Sequence, residues 1–292
     1  MKRRNVCISL AIAFLFAVFS CLAWAQEASP THAGKVAPSS AASANTAPQS
    51  PLRIAKIMPK GVPPRLSAPA GSHLNYYGGP VISNVEVIVV FWGTGVDVSV
   101  QSGIGQYYSD LSGSSYIDLL SEYDTVGVTP VGGGTPTGQS IGHGTFLGAY
   151  TITPSFVGTT VDDTNIQAEL AAQIQAGHLP APTVDAQGFS NTLYMTYFPP
   201  GISITQGGSS SCTAGGFCAY HGTLLNGGLD VPYGVMPDMG PTSGCATGCG
   251  SGTTFDIYTA VSSHEFAEAI TDADVGLATS NAPAGLVRQQ LR

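Results

Sequence analysis

No lysine or arginine occurs between Arg65 and Arg288, a stretch that holds all but one (Glu27) of the chain's eighteen acidic residues. The ten cations are Lys2, Arg3, Arg4, Lys35, Arg53, Lys56, Lys60, Arg65, Arg288 and Arg292. A fold built from the middle of this chain therefore cannot neutralise a carboxylate with an internal Lys or Arg salt bridge. Each buried acid must be protonated, hydrogen-bonded to a neutral donor, paired with a histidine or bound to a cation. The same absence leaves no strong cation for phosphates, which disfavours DNA, RNA and anionic lipid headgroups as partners. With 43% hydrophobic and 10% charged residues in 292, the chain is too apolar for a disordered polyelectrolyte.

The ends set the compartment and the length available for folding. Lys2-Arg3-Arg4 precedes an apolar run from Val6 to Trp24, and Ala23-Trp24-Ala25 supplies the small residues of a cleavage site. Residues 1–25 thus read as a secretory signal peptide, and the product is expected to be secreted, extracellular or periplasmic, with no membrane association after cleavage. Residues 26–71, rich in Ala, Ser, Pro and Thr, read as a linker or a pro-segment. The remaining span, residues 72–285, is long enough for one sizeable domain of roughly 200 residues. Cys7 and Cys21 leave with the signal. Cys212, Cys218, Cys245 and Cys249 remain in an oxidising compartment and are expected to form two disulfides, with all three pairings open.

Within the domain, Val85–Trp92 is β-branched and aromatic and reads as a strand buried on both faces. Residues 100–123 follow a helical period broken at Ser112–Ser115, and 146–152 reads as a second strand. A helix over 163–176 opens at the Asp162/Asp163 cap signal and closes at Gly177. Residues 191–198 form a third strand, with short candidate strands over 217–225 and 231–236. A last helix, 255–271, starts from Thr253 and Asp256 as a variant capping box. Strands mixed with a few helices predict an α/β or α+β fold with a mixed sheet.

That last helix carries the residues with chemistry in them, His264-Glu265-Phe266-Ala267-Glu268 followed by Asp272 and Asp274. His264 and Glu268, four apart, point from one helix face and could ligate one ion, with Glu265 placed to polarise a water. This is the logic of H-E-x-x-H with Glu for the second His. Ile257 and Val261 share that face, so the polar pair continues an apolar stripe. A catalytic zinc (Zn2+) usually takes three protein ligands, and the third is open among Asp272, Asp274, His221 or a residue beyond the helix. His143 and His221 are read on glycine-flanked loops.

Three stretches together resemble the Exordium-like, phosphate-induced protein family of plant cell walls and bacteria. They are Tyr76-Tyr-Gly-Gly-Pro80 with the strand after it, Phe217-Cys-Ala-Tyr220, and Val261-Ser-Ser-His264-Glu-Phe-Ala-Glu268-Ala-Ile-Thr-Asp272. The resemblance implies a role at the cell surface and a zincin-like helix within a single domain, but not a settled activity. The expectation is therefore a metal-dependent hydrolase acting on extracellular peptide or cell-wall material, with Glu265 as general base. A non-catalytic wall-associated or signalling protein is the alternative. The chain departs from the family with Phe266 for Leu and Ala273 for Pro, and it lacks the G-W-Y-D and E-I-G-D segments, whose Glu would be the third ligand. Residues 286–292 read as a frameshifted tail, because codons can be chosen for Gly285–Arg292 whose alternate frame spells Gly-Trp-Tyr-Asp. On that reading, weak metal binding and an inactive product are expected.

Overall fold

The computed structural model describes residues 54–57, 75–275 and 286–287. The signal peptide, nearly all of the linker and the last five residues lie outside them. In chain order the elements are β1 (Ile54–Ile57), β2 (Asn75–Tyr76), β3 (Asn84–Trp92), α1 (Val98–Ser112) and α2 (Ser115–Leu120), the last followed by a single 3-10 turn. Then come β4 (Gly142–Ile152), β5 (Thr160–Asp162), α3 (Asp163–Gln175), β6 (Thr192–Tyr197), β7 (Ser203–Gln206) and β8 (Ser209–Ser210). The series closes with β9 (Ala219–Asn226), β10 (Leu229–Met236), α4 (Cys245–Gly248), α5 (Thr254–Thr271) and β11 (Leu286–Val287).

Local chemistry explains the helix boundaries. Asp97 caps α1 through the Ser99 amide, and the helical period breaks where Ser114 accepts from the Tyr116 amide to start α2. Both capping residues of α3, Asp162 and Asn165, make reciprocal bonds, as do Thr253 and Asp256 at the start of α5. Gly177, at φ 73°, takes the left-handed conformation that ends α3.

Six strands form one mixed sheet in the order β1-β9-β10-β6-β3-β4. β10, β6, β3 and β4 are mutually parallel, while β9 runs antiparallel to β10 and β1 antiparallel to β9. The continuous apolar run of β3 comes from this central place. Val85, Val87, Val89 and Phe91 pack on one face with α1, α2 and α5, and Ile88, Val90 and Trp92 on the other with α3. The result is a mixed α/β protein with helices on both faces of its main sheet. Two small sheets, β5-β7-β8 and β2-β11, stand beside it. The tail dipeptide Leu286–Val287 pairs with Asn75–Tyr76. Among the described residues, no helix is long and apolar enough to cross a membrane.

Two disulfides, Cys212–Cys245 and Cys218–Cys249, join the approach to β9 to the short helix just before α5. A Cβ at Gly244 would overlap the Cys212 carbonyl oxygen, so glycine is needed for the first bridge to close. The bridges fix β9 and α5 relative to each other, and the candidate site lies between these two elements.

Candidate metal and acid–base site

β9 is buried on both faces, so its successive side chains serve opposite layers. Tyr220 turns toward α3, where its hydroxyl and that of Tyr233 donate to Asp163 Oδ1, each at 2.7 Å. His221, 1% exposed, turns toward α5, where its Nδ1 lies 3.2 Å from Glu265 Oε2 and 3.4 Å from Glu268 Oε2. His143 and His221 are thus strand residues, on β4 and β9; the candidate strand over 217–225 already covers His221, and the loop reading drawn from the flanking glycines fails for both. His143 is exposed and pairs with Asp118 at 2.8 Å, away from α5's acids.

The helix presents a different stripe from the expected one. Its buried residues are Ile257, Tyr258, Val261, Ser262, Glu265, Phe266, Ala269 and Ile270, so the interior arc runs through Glu265. His264, 47% exposed, sits at the margin of that arc, with its Nε2 2.8 Å from Glu268 Oε1. Glu268 is therefore flanked by two imidazoles, His264 on its outer oxygen and His221 on its inner one. α5 is held in this setting by a buried hydroxyl chain, Tyr108 to Tyr197 at 2.8 Å and Tyr197 to Ser262 at 2.7 Å, which links it to α1 and β6. Beyond its C-terminus, Thr223 of β9 donates to the Ala273 carbonyl (2.7 Å) and accepts from the Val275 amide (3.1 Å), pinning the segment that carries Asp272.

Burial and mutual charge set the protonation states. Desolvation pulls the His221 pKa down, but its contacts with Glu265 and Glu268 together outweigh this and push it up to about 10. Glu268 feels the same opposition. Burial raises its pKa, the two histidines lower it, and the balance falls to about 2. Glu265, with no exposed surface, is raised to about 7 by desolvation, which its His221 contact only partly offsets. Asp272 is also raised to about 7 by burial. Three buried atoms here lack a hydrogen-bond partner among the described residues: His221 Nε2, Glu265 Oε1 and Asp272 Oδ1.

One ligand atom each from His221, Glu265 and Glu268 lies within 4.8 Å of the others, close enough to share an ion. His264 joins them through Glu268. Asp274 is buried elsewhere, beside Asp230, Phe189 and Pro232 in a separate cleft. The sequence placed His264, Glu265 and Glu268 on one helix with Asp272 just past its end, and offered Asp272 and His221 only as two of several third ligands. The closeness of His221 to Cys218, which is bridged to the approach of α5, was the signal for it. Comparison with protein-family models, with curated proteins and with solved structures finds no match to this chain.

Proposed function

We propose that the chain is a secreted, metal-dependent hydrolase of the Exordium-like kind, acting on extracellular peptide or cell-wall material through a zincin-like helix, α5. The observation that carries this reading is the buried cluster on β9 and α5, where a histidine and two glutamates bring ligand atoms within 4.8 Å and leave His221 Nε2 and Glu265 Oε1 unsatisfied. Histidines on both sides of Glu268 suit a zinc ion, which is commonly held by two histidines and one glutamate. His221, His264 and Glu268 would hold it, with His221 in place of the third ligand expected from the missing E-I-G-D segment, so that metal binding and activity are expected here where the sequence alone argued for weak binding and an inactive product. When bound, the ion would supply Lewis acidity toward a carbonyl and its attacking water. Glu265 is the general base, because a carboxyl group raised to about 7 can both take and return a proton near neutral pH. Asp272, one turn beyond Glu268, would share the positive charge.

Chemistry of the donor set supports a cation. In the metal-free cluster, His221 keeps a proton it would lose at its ordinary pKa, and Glu265 and Asp272 hold theirs to about pH 7. A divalent ion can replace those protons, which ties binding to proton release. The test is metal analysis of the secreted protein after growth with zinc, and then hydrolysis of a mixed-sequence peptide pool. Glu265→Gln is expected to retain stoichiometric metal and to lose about 100- to 10,000-fold in turnover. His221→Ala and Glu268→Gln are expected to lose the metal. Absence of stoichiometric metal, with no change in hydrolysis for Glu265→Gln, would establish the non-catalytic wall-associated alternative.

A further inference from the structure

The two edges of the main sheet are protected differently. β4 is broken by two register shifts against β3, irregularities that bend an edge strand and make it a poor template for another chain. β9 has an unbroken register and contains no proline or lysine. Without β1 it would be an open, regular edge of eight residues, the kind that accepts an extended strand. β1 covers half of it, pairing Ile54 with Gly222, Ala55 with His221, Lys56 with Tyr220 and Ile57 with Ala219. Thr223–Asn226 have no partner on that side among the described residues, and Leu225 there is 62% exposed.

We propose that the outer edge of β9 is a docking edge for an extended, basic polypeptide strand, and that residues 54–57 occupy it in the intact chain as a displaceable strap. This edge can serve a partner whether or not the neighbouring cluster holds a metal. The net gain from each ladder hydrogen bond is comparable to the conformational entropy lost by ordering one residue, so a four-residue strap is held only weakly. A partner pairing along all eight residues of β9 can also make the contacts at Thr223–Asn226 that the strap leaves unmade. Its neighbour on the other side, β10, is joined to β9 by the two-residue turn Gly227–Gly228 and has no such freedom.

Charge selects the partner. The strap's sequence neighbourhood carries Arg53, Lys56, Lys60 and Arg65, and the domain it docks on has acids throughout with no lysine or arginine to repel them. A basic strand is drawn to this surface and an acidic one is repelled, with a dependence on salt. Because Ala55 stands opposite His221, whatever occupies this edge borders the candidate site.

The experiment uses the full chain and, as probe, a fluorophore-labelled peptide with the sequence of residues 50–61, read by anisotropy. Alternate residues of an antiparallel strand aim their N–H groups at the neighbour. One of the two double variants, Ile54→Pro with Lys56→Pro or Ala55→Pro with Ile57→Pro, therefore removes the ladder donors. That variant is expected to bind the peptide at least tenfold more tightly than the intact chain, and a peptide carrying Arg53→Glu and Lys56→Glu is expected not to bind. Equal binding by the intact chain and both variants, or binding by none of them, would overturn the proposal. A second measurement covers misfolding of the variants. A specific protease site placed at residues 66–71 is cut after folding, and the freed N-terminal segment is expected to exchange with labelled peptide within hours. A segment that stays bound and unexchanged would show that the strand is a fixed part of the sheet.

Discussion

Replacing His221 with glutamine tests the electrostatics of the site most directly, because the change removes a buried positive charge while keeping a polar side chain between β9 and α5. In the metal-free protein the imidazole is held protonated to about pH 10, against an ordinary value of 6.5. A group whose folded pKa is raised contributes stability that is fully present below its unfolded pKa and is lost as pH climbs to the folded one. For His221 that window runs from 6.5 to about 10, and the full contribution at its acid end is about 5 kcal/mol, the two pKa values being roughly 3.5 units apart. In a folded region of roughly 200 residues, each 1 kcal/mol moves Tm by about 2–4 °C. The native chain is therefore expected to melt about 10–20 °C above His221→Gln at pH 5.5, with the gap narrowing through pH 7.5 and nearly closed at pH 9.5. Glu265 and Asp272, both raised to about 7, add a decline of their own as pH rises from near 4 to 7. Glu268, lowered to about 2, gains stability only as pH rises through the ordinary carboxylate range. The native, chelator-treated protein should then be most stable near pH 4–5. Thermal unfolding of both chains at the three pH values is the assay. A gap that is constant with pH, or widest at pH 9.5, would mean that His221 acts by packing alone and would refute the charge assignment.

Two further expectations concern what positions the site. Cys218→Ser with Cys249→Ser opens a loop whose ends are 31 residues apart. Because Cys212–Cys245 stays closed, the bridge lost spans only the short path through residues 212–218 and 245–249, so the cost should be about 2–3 kcal/mol in urea unfolding, and metal affinity should fall with it as β9 loses one of its two braces to α5. Tyr197→Phe removes the central hydroxyl of the Tyr108–Tyr197–Ser262 chain. Tyr108 and Ser262 keep their contact with each other, so the loss should be about 0.5–1.5 kcal/mol at any pH from 5 to 9, measured by the same unfolding curves.

How much of the fold is legible in the sequence depends on the range of the interactions. β3 is legible because seven of the eight residues from Val85 to Trp92 are β-branched or aromatic, Glu86 being the exception, and the run has no exposed alternate, which a central strand covered on both faces explains. The break between α1 and α2 and the capping box of α5 are legible because a turn and a cap are settled by residues within four positions of each other. β1 is not, since Ile-Ala-Lys-Ile sits in an Ala- and Pro-rich stretch and has no period of its own. Only its pairing with a strand far along the chain makes it a strand. The same limit shows in the site. His264 and Glu268 stand out by their four-residue spacing, but that spacing puts the buried stripe through His264, where the structure buries Glu265. A glutamate with no nearby lysine or arginine looks like a surface residue, and what lets it be buried is His221, 44 residues earlier on another element.

The absence of lysine and arginine from the domain now has a residue-by-residue resolution. Asp163 is satisfied by two tyrosine hydroxyls, Asp185 by Ser83 and Gln139, Glu169 by Ser155 and Gln173, and Asp162 by Thr164 and Thr205. Neutral donors suffice at each of these places because one acid meets several hydroxyls, amides or backbone N–H groups. On α5 and at its C-terminal cap three acids, Glu265, Glu268 and Asp272, lie within a span of eight residues, and the histidines reach the first two of them. Of four histidines in residues 75–275, two converge on Glu268, yet Glu265 and Asp272 each keep a buried oxygen without a donor. Carboxylates left in that condition hold their protons, which is why both titrate near 7. Elsewhere the fold answers the lack of cations with hydroxyls and amides, whereas here it leaves room in the chemistry for a positive charge from outside the chain. The cation proposed for this cluster would therefore answer the composition of the chain as much as the H-E-x-x-E spacing.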